Sequence, residues 1–301
     1  MFIDAVALCP YQPVFYGKNR SRKKDIDTSL VLYYNRAKIS AGKIMNAGVF
    51  MKILGSDYDG TLTCGGITSA KLAAIEKWQK AGNKFGIVSG RGKDFGKELL
   101  QQYPALKFDF FAGCNGGYIM SANGSILYEA RCADVSVLDL AADLFAWGCP
   151  YIHVNGARYV CAVEKLENGP DYVEESKICL IEKLPTYHYF NQVSVQLESV
   201  EQSAAMVQKI QEKYGKWLNP LQNGICIDIV PVGVDKAQGM YRVMEFFGGK
   251  YEDVITVGDN VNDIDMIREF RSYAMRNGVA KVKDLAFGIV NDVTEIFEKE
   301  C

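Results

Sequence analysis

Short apolar runs alternate with helix-period segments along most of the chain. Val49, Phe50, Ile53 and Leu54 form an apolar run that leads into GSDYDGTLT, Gly55 to Thr63. That reads as a buried strand closing on an acidic turn. From Ile67 to Ala81 the period becomes helical: Leu72, Ile75 and Trp78 recur every three residues, and Thr68 or Ser69 can cap the start. Gly82 stands where that helix should stop. The run KFGIVS closes on Ser89-Gly90-Arg91-Gly92, and a second helix is expected over 93–102. Phe108 to Gly113 supplies a third strand, ending on Cys114-Asn115-Gly116-Gly117. Tyr118–Met120 and Ile126–Tyr128 flank Asn123-Gly124, a tight-hairpin signal.

Strand, helix, strand, helix, strand is the rhythm of a parallel sheet with crossover helices. Residues 133–232 interrupt it. They hold helical segments at Val137–Trp147 and Val200–Tyr214, the latter opened by a capping box of Ser199 and Gln202. Strand-like runs surround them at Tyr151–Val154, Arg158–Val163, Gln192–Leu197 and Ile225–Val230. This is α+β material of domain size, read as an insertion. After Gly233 the first rhythm resumes with a helix over Asp235–Phe247, placing Met240, Val243, Met244 and Phe247 on one face. The strand Val254–Gly258 then runs into Asp259-Asn260-Val261-Asn262-Asp263. SYAM and FGIV read as the last core strands and Val293–Lys299 as a terminal helix. The division that follows is a core over 51–132 and 233–301 with an inserted domain over 133–232.

Composition changes this picture at one end. The 301 residues are 49% hydrophobic and 23% charged, with a formal net charge of −2, which argues against a general nucleic-acid binder. Residues 1–50 nevertheless carry eight basic side chains against three acids, a net of +5 that leaves −7 for the rest. They lack the pattern of a domain, and Met51 is a natural beginning for the first strand. Residues 1–50 are therefore expected to be an upstream extension or a disordered tail, the competing reading being a basic arm for RNA or anionic lipid. Nine cysteines are scattered singly, and their odd number favours reduced thiols in a cytoplasmic protein. No apolar run approaches the roughly 18 residues of a membrane helix, so no membrane partner is expected. With only two histidines, His153 and His188, a catalytic or metal role for imidazole is a minor alternative.

Four segments share one feature: each puts polar residues just past a strand or at a helix start of the alternating core. They are Asp57-x-Asp59-Gly60-Thr61, Ser89-Gly90-Arg91, Lys236, and Gly258-Asp259-x-x-Asn262-Asp263. In a parallel sheet those strand ends lie along one edge, so the groups can converge. Carboxylates gathered beside a lysine and a hydroxyl suit a hard divalent cation next to a phosphoryl group. The P-loop pattern fails, because Ile87 and Asp94 stand where it needs Gly and Ser or Thr. Tyr187, Tyr189 and Phe190 read as packing aromatics with an alternative role in stacking on a sugar.

In this order the segments resemble the four motifs of the haloacid dehalogenase superfamily, and the insertion together with Asn115-Gly116-Gly117 resembles its Cof-type branch of sugar-phosphate phosphatases. The likeness covers residues 51–301. It implies a Rossmann-like α/β parallel-sheet core with an inserted α+β cap, and Mg²⁺-dependent hydrolysis of a small phosphorylated metabolite, a sugar phosphate above others. Asp57 is then the expected nucleophile, forming an aspartyl-phosphate, and Asp59 the acid and base. Asp57, Asp59 (through its carbonyl), Asp259 and Asp263 are the expected metal residues. Ser89, Gly90, Lys236 and Asn262 are expected to hold the phosphoryl group. Several have a plainer alternative: Ser89 can cap the next helix, Lys236 can be a surface lysine, and Asp263 can match a helix dipole; Asn115 reads as a turn residue outside the catalytic set. The alternative functions are phosphomutase or phosphotransferase chemistry and non-catalytic phosphate binding, against which Asp59 argues.

Overall fold

The computed structural model describes residues 51–184 and 189–300. The expectations for residues 1–50 and for Tyr187 and His188 lie outside them.

The core begins with β1 (Ile53–Ser56), α1 (Ser69–Lys80), β2 (Lys84–Val88), α2 (Phe95–Gln102) and β3 (Phe110–Gly113), then a hairpin of β4 (Tyr118–Ser121) and β5 (Ile126–Glu129). The cap follows as α3 (Val137–Ala146), β6 (Tyr151–Asn155), β7 (Tyr159–Val163), β8 (Ile178–Leu180), β9 (Gln192–Gln196), α4 (Val200–Tyr214), β10 (Leu218–Asn223) and β11 (Cys226–Pro231). The core resumes with α5 (Lys236–Phe247), β12 (Val254–Gly258), α6 (Ile264–Glu269), β13 (Arg271–Met275), α7 (Ala280–Leu285), β14 (Gly288–Val290) and α8 (Thr294–Glu300).

The core strands form one sheet in the order β14-β13-β12-β1-β2-β3-β4-β5. It is parallel from β14 to β3, and the β4–β5 hairpin adds antiparallel strands at one edge. Both faces are covered. Leu54, Ile87 and Phe111 pack with Ile75 and Trp78 of α1 on one face, while Ile53, Val88 and Ala112 pack with Met240 and Val243 of α5 on the other. That two-sided burial is why the central strands read as unbroken apolar runs. Ser56 lies level with Val257 on one neighbour and with Ile87 on the other. Asp57, Gly258 and Val88 therefore come next, side by side, and the three loops that follow leave the same edge of the sheet.

The sequence signals account for most boundaries. Thr68 caps α1 by accepting from Lys71 N at 3.3 Å, and Gly82 at φ 89° ends the turn beyond it. The helix expected from residue 93 begins at Phe95, because residues 89–94 form a loop whose Arg91 carbonyl accepts from Cys114 N. At α4, Ser199 accepts from Gln202 N as a cap should, but the Gln202 amide oxygen accepts from Glu198 N instead of closing the box on Ser199.

The cap sheet runs β10-β11-β9-β6-β7-β8. Its strands alternate strictly: Ile152, Val154, Val193, Val195, Ile227 and Ile229 pack against the helices α3 and α4. The opposite face is polar, with Asp228, Ser194 and His153 level with one another across β11, β9 and β6. β10 carries Pro220 and no clear strand pattern. It is an edge strand, where a missing N–H is tolerated.

Candidate active site

The loop after β1 carries Asp57, buried at 6% exposure, with its backbone N bonded to Val257 O at 2.9 Å. Lys236, at the start of α5 and fully buried, donates to Asp57 Oδ1 at 2.6 Å and to Asp263 Oδ1 at 2.5 Å. The lysine is thus no surface residue. Asp263 Oδ2 in turn accepts from the backbone N–H groups of Asp259 (2.9 Å) and Asn260 (3.0 Å), which shapes the loop after β12. Asp259 Oδ1 accepts from Thr61 Oγ1 at 2.8 Å, tying that loop to the one after Asp57. Gly60 makes this approach workable. It sits at φ 78°, and a Cβ there would lie 2.5 Å from Asp259 Oδ2.

Among the described residues, Asp57, Asp259 and Asp263 each offer an oxygen within 4.8 Å of the others. Three carboxylates face one ammonium, a surplus of negative charge in a buried place. Burial pushes the Asp57 carboxyl up to about 8 against the pull of Lys236, with Asp263 and Asp259 adding to the rise. Burial also raises Asp259. For Lys236 burial opposes the charge, but Asp263 and Asp57 outweigh it and hold the ammonium above its usual range. A cluster of hard oxygen donors with unbalanced negative charge fits a divalent cation.

The Asp59 carboxylate lies outside that cluster. It is half exposed and gripped at both oxygens by Arg91, Nε to Oδ2 and Nη2 to Oδ1, each at 2.8 Å. Arg91 is held in place by stacking, 4.5 Å from the Phe95 ring centroid and 5.6 Å from that of Tyr58. Ser89 is buried and its Oγ accepts from Arg91 N at 3.2 Å, so it closes its own loop and does not cap α2, whose N-cap is Asp94. Asn262 has a buried side-chain oxygen with no partner.

A cavity of about 290 Å³ joins these groups. On the core side it is lined by Asp57, Asp59, Ser89, Gly90, Arg91, Asn260 and Asn262; on the cap side by Asn223, Cys226 and Asp228. The structure therefore brings Asp57, Lys236, Asp259 and Asp263 together in one cluster, and sets Asp59, Ser89, Gly90 and Asn262 around the same space. Sequence reasoning named Arg91 and Thr61 within its segments but gave neither a role. It also missed the cap side. Asp228, a lone acid between Ile227 and Ile229, is the signal the sequence offers there.

Three comparisons with known proteins agree. The 5-amino-6-(5-phospho-D-ribitylamino)uracil phosphatase of Escherichia coli is 23% identical over 246 residues, covering 77% of this chain and 88% of its own. A Bacillus subtilis phosphatase of the same name is 37% identical over 62 residues, 20% of this chain and 23% of that one. Among solved structures, a sugar phosphatase of haloacid dehalogenase subclass IIB superposes with a TM-score of 0.69 at 21% identity, covering 83% of this chain and 99% of that one. A haloacid dehalogenase-like hydrolase from Bacteroides thetaiotaomicron gives 0.66 at 21% identity, over 83% of this chain and 100% of that one. The family model of haloacid dehalogenase-like hydrolases matches residues 54–295, a span that takes in Asp57, Ser89, Lys236, Asp259 and Asp263, and the chain belongs to that family.

Proposed function

We propose that this hydrolase cleaves the phosphate monoester of a small phosphorylated metabolite, a sugar or polyol phosphate, with Asp57 as nucleophile. The observation that carries the reading is the buried Lys236 bridging Asp57 and Asp263 beside Asp259, at the mouth of three adjacent strand-end loops. The name of the Escherichia coli relative adds a concrete candidate, a phosphorylated ribityl chain bearing a flat heterocycle.

An Asp57 carboxylate oxygen attacks phosphorus in line while the bond to the leaving alcohol breaks, giving an aspartyl-phosphate. Asp59 donates its proton to the departing oxygen. It then takes a proton from water as that water attacks the same phosphorus, and the Asp57 carboxylate departs, restored. Arg91 holds both oxygens of Asp59 in place, and each oxygen keeps a second lone pair for the proton it transfers. Lys236 orients Asp57 through Oδ1 and offsets part of the repulsion between carboxylate and phosphate. Ser89 and Asn262 both line the cavity: the Ser89 hydroxyl would donate to the phosphoryl group, and Asn262, whose side-chain oxygen lacks a donor, would accept from the attacking water.

Mg²⁺ is the cation proposed, held by Asp57 and Asp259. When bound it would screen the charge shared by nucleophile and phosphate. Asp263 spends its oxygens on Lys236 and two amides, which suits it to positioning the loop. Phosphate release from p-nitrophenyl phosphate, with Mg²⁺ and with EDTA, tests the reading. Metal-dependent turnover that Asp57→Asn abolishes is the expected result; a wild type without such turnover, or a variant that retains it, overturns it.

A further inference from the structure

The cap wall of the cavity centres on one carboxylate. Asp228 lies in the middle of β11, and its neighbours Ile227 and Ile229 point the other way, into the packed face of the cap. Three neutral donors hold it: Ser194 Oγ (2.7 Å) and Gln192 Nε2 (3.1 Å) to Oδ1, and Asn115 Nδ2 (2.8 Å) to Oδ2. Ser194 is its direct cross-strand partner on β9. Burial raises the carboxyl above its ordinary range, while the Ser194 and Asn115 bonds work against that rise.

The core reaches toward this carboxylate with unusual backbone. Cys114 and Asn115, just past β3, both take left-handed conformations, φ 50° and 52°, uncommon for a cysteine and less so for an asparagine. The result is that the Asn115 amide points across the interface to Asp228 and Gln192. Its own Oδ1 is left buried without a partner. Gly90, in the loop of Ser89, completes the arrangement: a Cβ there would sit 2.6 Å from Asp228 Oδ2 and 3.4 Å from Asn115 Oδ1. Two hydrogen-bond acceptors thus meet at Gly90, where no side chain fills the space, next to the residue proposed to hold the phosphate.

An acceptor pair in that place asks for a donor on the leaving group. A hydroxyl satisfies it, whereas a hydrogen leaves the buried Asn115 Oδ1 without a donor and a carboxylate meets like charge. Resting on the phosphomonoesterase reading above, we propose that Asp228 is a specificity-determining residue: its Oδ2, with Asn115 Oδ1 beside it, accepts a hydrogen bond from a hydroxyl close to the ester oxygen of the leaving alcohol. Ser194 and Gln192 are positioning residues that keep the carboxylate turned toward the cavity.

The experiment compares kcat/KM for D-ribitol 5-phosphate and n-pentyl phosphate, which differ only in hydroxyls. Wild type favours the polyol ester. Asp228→Asn and Asp228→Ala lower that preference by about tenfold to a hundredfold, the range for a hydrogen bond to a charged group. Ser194→Ala lowers it less, in the same direction. A wild-type ratio near one overturns the assignment. So does an equal loss on both substrates with the ratio intact, which would make Asp228 only a strut between cap and core. Circular dichroism checks folding, and the isosteric Asp228→Asn carries the test if the alanine variant does not fold. If wild type hydrolyses neither ester nor p-nitrophenyl phosphate, the phosphomonoesterase reading itself falls and takes the assignment with it.

Discussion

Two carboxylates, the buried Asp57 and the half-buried Asp228, face one cavity from opposite walls, and their surroundings differ in kind. Around Asp57 the partners are charged: the Lys236 ammonium, the Asp263 and Asp259 carboxylates, and room for a cation. Around Asp228 the donors are a hydroxyl and two amides, all neutral. Burial raises both groups. What separates them is the kind of change each wall can accommodate. Fixed charges near Asp57 can stabilise charge that moves during bond exchange, whereas neutral dipoles around Asp228 can only orient an acceptor and so select a partner.

The comparison breaks if the two carboxylates respond alike to neutralisation. Asp57→Asn is expected to reduce kcat by about 10⁴-fold or more, as removal of a nucleophile does. Asp228→Asn is expected instead to act on substrate preference. Asp59→Asn sharpens the core side, with a loss of about 10²-fold to 10⁴-fold in kcat at the pH optimum, the usual weight of a general acid and base. Steady-state rates on p-nitrophenyl phosphate read both core variants.

Lys236→Met tests the charge balance itself. It strands Asp57 and Asp263 in a buried place, and removing one partner of such a pair costs about 3–5 kcal/mol. Thermal unfolding without metal should show that loss, and added Mg²⁺ should recover part of it. An unchanged melting temperature would mean that the cluster is far more hydrated than its burial implies.

The smallest effect concerns the neutral wall of the cap. His153, level with Asp228 and Ser194, bonds Tyr159 OH through Nδ1 (2.7 Å) and Tyr172 OH through Nε2 (3.2 Å). Burial lowers it from 6.5 to about 4, so the native ring stays neutral where the unfolded chain already binds a proton. Its stabilising contribution is complete above about 6.5 and is lost as pH falls toward 4. The melting temperature of His153→Phe should therefore fall less steeply than that of wild type between those limits. Parallel slopes would contradict the neutral ring.

The core was legible in the sequence because its signals are local. Asp57, Asp259, Asp263 and Lys236 follow strands or open a helix, and parallel register carries them to one edge without further information. Ser89 was legible as a cavity residue, though its hydroxyl closes a two-residue turn that spacing does not reveal. The cap wall was not legible for the converse reason. The Asn115–Asp228 bond joins residues 113 apart and exists only once the insertion has docked. Arg91 was visible as a residue, but its grip on Asp59 depends on how two loops meet. Lys71 gave no sign of burial either. It is enclosed because the loop after Asp57 turns its Leu62, Cys64 and Gly66 carbonyls toward it, with Asp292 completing the set.

The central claim is that phosphorus passes through Asp57. Borohydride quenching during steady turnover of p-nitrophenyl phosphate with Mg²⁺, followed by peptide mass spectrometry, tests it directly, because an acyl phosphate is reduced to the alcohol while a free carboxylate is not. The account predicts that the peptide holding GSDYDGTLT is recovered with Asp57 converted to homoserine, in wild type and only while substrate is present. Turnover with Asp57 unmodified, or the same conversion at another carboxylate, would contradict it.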